Sequence, residues 1–127
     1  MTLGEFIHEA LTDDATVGGL VTARVYPQKL PQSPTLPAIS YFVVSRVPTD
    51  ANTELFECRL QLDCWAATYA GSTALALAAL NALRFYRKAD GGNTLLSIYD
   101  SNYQDAYDDD LEIWRVIVDV IAMYHEA

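Results

Sequence analysis

Residues 55–88, LFECRLQLDCWAATYAGSTALALAALNALRFYRK, constrain the fold more than any other part of the chain. From Phe56 to Ala66 every even position is apolar: Phe56, Cys58, Leu60, Leu62, Cys64 and Ala66. The odd positions between them include Glu57, Arg59, Gln61 and Asp63. A strict period of two sends successive side chains to opposite faces, so this is a strand with one face on a core and one in water. After Ala70-Gly71-Ser72-Thr73 the period changes. Leu75, Ala79, Ala82, Leu83 and Tyr86 recur at helical spacing, widened by Leu77 and Leu80. The spacing predicts a helix over residues 72–87, capped by Ser72 or Thr73. Arg84, Arg87 and Lys88 near its end complement the macrodipole, and Asp90-Gly91-Gly92-Asn93 is expected to terminate it. Laying this helix on the strand satisfies both apolar faces, and that packing is expected to be the centre of the fold.

The flanking segments add one helix and several strands. Thr2 and Glu5 spell a capping box before the stripe Leu3, Phe6, Ile7, Ala10 and Leu11, which predicts a short N-terminal helix over residues 2–11. Residues 15–28 read as a connection with a sharp Gly18-Gly19 turn and a short strand near Ala23–Tyr26. Pro27, Pro31, Pro34 and Pro37 then predict a stiff extended loop. Residues 38–47 read as a strand apolar on both sides, hence expected to be covered on both. With residues 53–66 they form an antiparallel hairpin. That long strand spans roughly 40 Å, so its end at residues 53–57 is expected to project as an arm. Residues 94–100 read as a short strand, 101–110 (SNYQDAYDDD) as a polar acidic loop, and 111–124 as the last strand. In that strand Arg115 and Asp119 share a face with Ile113, Ile117 and Ile121, and need partners on neighbouring strands or another chain. The expected architecture is one α+β domain over residues 1–127. It has a mostly antiparallel sheet with a long hairpin, one main helix packed on the sheet and a short N-terminal helix.

Charge and chemistry exclude more than they assign. Seventeen acids against eight bases give a net charge of −9, the wrong sign for wrapping phosphates or an anionic membrane surface. No apolar run is long enough to span a bilayer, and no signal-peptide pattern opens the chain. Cys58 and Cys64 lie roughly 20 Å apart on one strand face, beyond disulfide reach, and read as core thiols. Two histidines at opposite ends of the chain give no triad and no zinc set, so no enzyme, metal or cofactor is expected. The aspartates near residues 100–110 lack the alternation and glycine of a calcium loop. Trp65 and Tyr69, at the strand–helix junction, are expected to pack under a loop or to anchor a subunit contact.

The blocks RVYPQKLPQSPTLPAISY and ELFECRLQLDCWA, with the N-terminal helix, the Ala/Leu helix and the acid-preceded last strand, make the chain resemble the tail completion proteins of long-tailed bacteriophages. These are the tail-to-head joining or tail terminator family. The resemblance covers nearly the whole chain and implies a structural virion protein. Its subunits would form a ring, commonly a hexamer, that caps the tail tube and joins it to the head connector, with DNA passing through unbound. It implies a homo-oligomer whose partners are the tail tube protein and the head connector or adaptor, formed in the host cytoplasm and resident at the head–tail junction. Pro48, Thr49, Asp50, Asn52, Thr53, Leu55, Glu57 and Trp65 are the candidate subunit interface. Asp105, Asp108, Asp109 and Asp110 are the candidate acidic lumen or partner surface. The competing readings are a head-completion adaptor, a tail tube protein, or a small cellular ligand- or protein-binding module.

Overall fold

The first element forms as its caps dictate. In the computed structural model, which describes residues 1–51 and 53–127, α1 spans Leu3–Asp13. The Thr2 hydroxyl accepts the Glu5 amide and the Glu5 carboxylate accepts the Thr2 N–H, closing the capping box. Hydrogen bonds donated by the Thr2 N–H and hydroxyl hold the Glu5 carboxyl below its ordinary range. The stripe Leu3, Phe6, Ile7, Ala10 and Leu11 is buried. A second helix, α2 (Ala15–Val21), follows where a connection was expected. Asp14 initiates it by accepting the Thr16 and Val17 amides. Gly18 and Gly19 lie inside the helix rather than in a turn. Their weak propensity is offset by the Asp14 cap and by Val17 and Val21, which are fully buried.

The strands are β1 (Val25–Pro27), β2 (Ala38–Pro48), β3 (Leu55–Ala66), β4 (Lys88–Asp90), β5 (Asn93–Asp108) and β6 (Ile113–His125), with α3 (Tyr69–Leu83) between β3 and β4. They form one six-stranded sheet in the order β1-β2-β3-β6-β5-β4. The class is α+β, with three helices and a mixed sheet among the described residues. Two sequence expectations about the sheet are corrected. β1 joins β2 in parallel, so the sheet is mixed. The hairpin of β2 and β3 does not stand alone, because β5 and β6 form a second antiparallel ribbon. β6 pairs with β3 from Leu55↔His125 to Ala66↔Trp114. Residues 53–57 therefore do not project as an arm: β2 and β6 flank Leu55–Glu57, and the Glu126 N–H bonds to the Glu54 carbonyl.

α3 starts and ends earlier than its apolar spacing suggests. Thr68, not Ser72 or Thr73, is the N-cap, its hydroxyl accepting the Gly71 amide. Ser72 instead donates to the Tyr69 carbonyl. The helix stops at Leu83, and Phe85 takes a left-handed φ of 64°. Arg84 turns to Asp100 through two bonds of 3.1 and 2.9 Å, and Lys88, now in β4, pairs with Glu9. Asp90-Gly91-Gly92-Asn93 closes the β4–β5 turn rather than the helix; Gly91 and Gly92 sit at φ 61° and 88°, which glycine adopts without strain.

The three helices pack on one face of the sheet. Phe6, Ile7, Leu11, Val17, Leu75 and Leu83 meet Ile39, Leu60, Leu62, Val116, Val118 and Val120 in one cluster. Cys58 and Cys64 lie in that cluster as free thiols, and burial raises the pKa of each. Among the described residues no helix covers the opposite face. The expectation that β2 is covered on both sides fails for its second half, where Val44 is 42% and Val47 56% exposed.

Candidate functional site

Both edges of the sheet are incompletely covered. β1 pairs with β2 only opposite Ile39, Ser40 and Tyr41, so among the described residues positions 42–48 have no outer strand. At the other edge β4 pairs only with Asn93, Thr94 and Leu95, and positions 97–108 of β5 are likewise open. Because β2–β3, β3–β6 and β6–β5 are each antiparallel, β2 and β5 run in opposite directions. The edges also differ in charge. Residues 42–48 contain one base, Arg46, and no acid; residues 97–108 contain Asp100, Asp105 and Asp108 and no base. Arg46 is held by Glu126 at 2.6 Å and lies 3.7 Å above the Phe56 ring.

The candidate interface residues fall in two separate places. Pro48, Thr49, Asp50, Thr53, Leu55 and Glu57 lie at the β2–β3 tip; Asn52 lies outside the described residues. The tip is internally bonded. The Thr49 N–H and hydroxyl both donate to the Leu55 carbonyl, and the Thr53 hydroxyl accepts the Leu55 N–H. Trp65 is at the other end of β3, roughly 33 Å from Leu55 along the strand. Its indole N–H donates to Ser40 Oγ at 3.0 Å, and the Arg115 guanidinium stacks 4.8 Å from its ring centroid. The proline loop folds beside it, walling a groove of about 500 Å³ lined by Pro31, Pro34, Asp63, Trp65, Ile113 and Arg115. Trp65 and Tyr69 are therefore not a pair. Trp65 packs beside a loop on the open face, while Tyr69 lies on the helix side.

The segment expected to be an acidic loop is largely strand. β5 continues to Asp108, because β6 supplies its hydrogen-bonding partners as far as Asp108↔Ile113. An irregularity between Asp100 and Asn102 shifts the register. Beyond it, Tyr103, Asp105 and Tyr107 lie opposite Val118, Val116 and Trp114, on the helix side of the sheet. Trp114 sits between two tyrosines: its ring centroid is 5.3 Å from Tyr69, edge-on, and 4.6 Å from Tyr107. The Tyr69 hydroxyl donates to Asp105 Oδ2 at 3.0 Å, a bond that raises the tyrosine pKa. Asp108 has a local role, its Oδ1 accepting the Asp110 and Leu111 amides to close the β5–β6 turn. Asp109 and Asp110 are exposed in that turn. The sequence reading missed Tyr103 and Tyr107; the available signal was the alternation Tyr103, Asp105, Tyr107, a strand period with strand-preferring residues.

The described residues thus leave two strand edges open and an aromatic surface exposed on a small α+β body. Comparison with known proteins makes the class specific. The family model for tail completion protein gp17 matches residues 5–125, and the chain belongs to that family. It is a structural protein of the phage virion. Among solved structures, a chain from the virion of the native gene transfer agent particle has the same fold. The TM-score is 0.80 at 17% sequence identity, covering 98% of this chain and 95% of that one. None of the curated proteins compared matches the chain.

Proposed function

We propose that this protein forms a ring at the head–tail junction of a long-tailed phage, capping the tail tube and joining it to the head connector. The observation that carries this reading is the pair of open, oppositely directed sheet edges. A copy rotated about an axis along the strands sets its β5 beside β2 of its neighbour, antiparallel, with no copy inverted. Such a head-to-tail contact repeats and closes when the rotation divides the circle. Charge favours it over self-pairing, since β5 against β5 would set acids against acids, whereas residues 42–48 of β2 carry no acid. The family resemblance implies six copies. A ring of subunits each carrying −9 would let DNA pass without gripping it. Asp105, Asp109 and Asp110 are the acids we assign to a DNA-facing or partner-facing surface. The partners are the tail tube protein and the head connector, met in the host cytoplasm during assembly, and the role is structural rather than catalytic.

Light scattering at two protein and two salt concentrations tests the ring, together with Val47→Asp. This variant adds an acid to an exposed position on the β2 edge. The expected result is a ring-sized mass for the native chain and a monomer for the variant. If both are monomers, recruitment to purified tails lacking this protein decides. Binding of the native chain but not of the variant supports the reading; binding of neither, or of both equally, overturns it.

A further inference from the structure

We infer that the patch of Tyr69, Tyr103, Tyr107 and Trp114 docks an arginine-bearing segment of a partner protein. The inference stands independently of the ring. Four aromatics gather where β5 and β6 run past the start of α3, with Trp114 half-buried between Tyr69 and Tyr107. Tyr69 is 49%, Tyr103 43% and Tyr107 44% exposed. Trp114 is packed between Tyr69 and Tyr107, and Tyr103 shares the strand face of Asp105 and Tyr107. The three rings packed together lose little freedom on binding, which is the chemistry of an interface anchor.

Charge selects the occupant. Residues 103–112 hold five acids, Asp105, Asp108, Asp109, Asp110 and Glu112, and no base. Arg115 is on the other face, stacked on Trp65, and Arg84 is engaged with Asp100. Nucleic acid is repelled by such a rim. A cation is attracted, and the aromatic faces distinguish among cations. A guanidinium stacks flat on a tyrosine or indole ring and offers forked donors to a carboxylate at its edge; an ammonium does neither as well. Asp105 is that carboxylate, since its Oδ2 is already oriented by the Tyr69 hydroxyl.

The test is titration of the full chain with tetra-arginine and, separately, tetra-lysine, followed by ¹H–¹⁵N NMR. The expected result is saturable shifts of the Trp114 indole N–H and the Tyr69, Tyr103 and Tyr107 amides. The Trp65 indole should stay still as the internal control, and arginine should bind about 3-fold or more tighter than lysine. Tyr107→Leu should abolish that preference. Asp105→Asn, which leaves the rings in place, should weaken arginine binding about 3-fold. Equal affinity for the two peptides, shifts centred elsewhere, or variants that bind like the native chain would overturn the assignment. Broadening of the same signals with protein concentration alone, without peptide, would overturn it too, by giving the patch to a second copy.

Discussion

Arg59 Nη2 lies 3.0 Å from Asp119 Oδ2 across the β3–β6 pair, on the face of the sheet opposite the helices. The two ends of this bridge differ in environment. The arginine side chain is 48% exposed and the aspartate 6%. Asp119 Oδ1 is buried with no hydrogen-bond partner among the described residues, so the carboxylate depends on the guanidinium for compensation. Arg59→Met is expected to cost about 2 kcal/mol, between the values for exposed and buried pairs, because it leaves that charge unpaired. Adding Asp119→Asn should recover most of the loss. Urea unfolding of the single and double variants checks this; a loss below about 0.5 kcal/mol for Arg59→Met would show that the pair is merely a surface bridge.

Asp63, two residues before Trp65 on the same face, is buried, and that burial pushes its pKa above the ordinary carboxylate range. The Gln61 amide donates to its Oδ1 at 3.0 Å and offsets part of the effect. A raised folded-state pKa has a definite sign. Below the ordinary aspartate pKa both states are protonated and nothing is lost. As pH rises, the unfolded chain releases its proton first, so stability falls between the ordinary value and the raised one. Asp63→Asn should therefore melt higher than the native chain at neutral pH and match it in strong acid. Equal melting temperatures at pH 7 would contradict the buried carboxylate.

How far the sequence revealed this depends on what each segment faces. The alternation of β3 and the stripe of α1 were legible because each meets a core on one side only, and the Thr2–Glu5 box is a local code. The outer half of β5 was not legible. Beyond Asp100 it extends past the cover of α3, so its helix-side positions hold Tyr103, Asp105 and Tyr107 rather than aliphatic residues. Pairing with β6, a long-range fact, is what makes it a strand. α2 was hidden by two glycines, and the start of α3 by Tyr69, Ala70 and Gly71, which lack an apolar stripe. The acids at 105–110 stood out in the sequence, but the tyrosines alternating with them did not. Among those acids Asp108 serves its own turn, and Asp105 is bonded by the Tyr69 hydroxyl.

Cys58 and Cys64 are fully buried, and desolvation is the leading cause of each raised thiol pKa. The thiolate is the reactive form, so both should resist a disulfide reagent in the folded protein at pH 8 and react together on unfolding. Stoichiometric labelling under native conditions, at a rate independent of denaturant, would show that β3 opens locally.

The start of α3 gives a prediction about coupling. Thr68 accepts the Gly71 amide, and a Cβ added at Gly71 would lie 2.9 Å from Thr68 Oγ1 and 3.2 Å from Ala66 Cβ. Thr68→Ala should cost about 1 kcal/mol through loss of the cap. Gly71→Ala gains helix propensity but drives its methyl into the capping hydroxyl, so it too should destabilise. The two losses share one cause. With Thr68→Ala already present the hydroxyl is gone and only the Ala66 contact remains, so Gly71→Ala should then cost little or become favourable. A double-mutant cycle in urea is expected to give a coupling larger than about 0.5 kcal/mol. Additive losses would mean that the helix start shifts to a new cap instead of keeping Thr68.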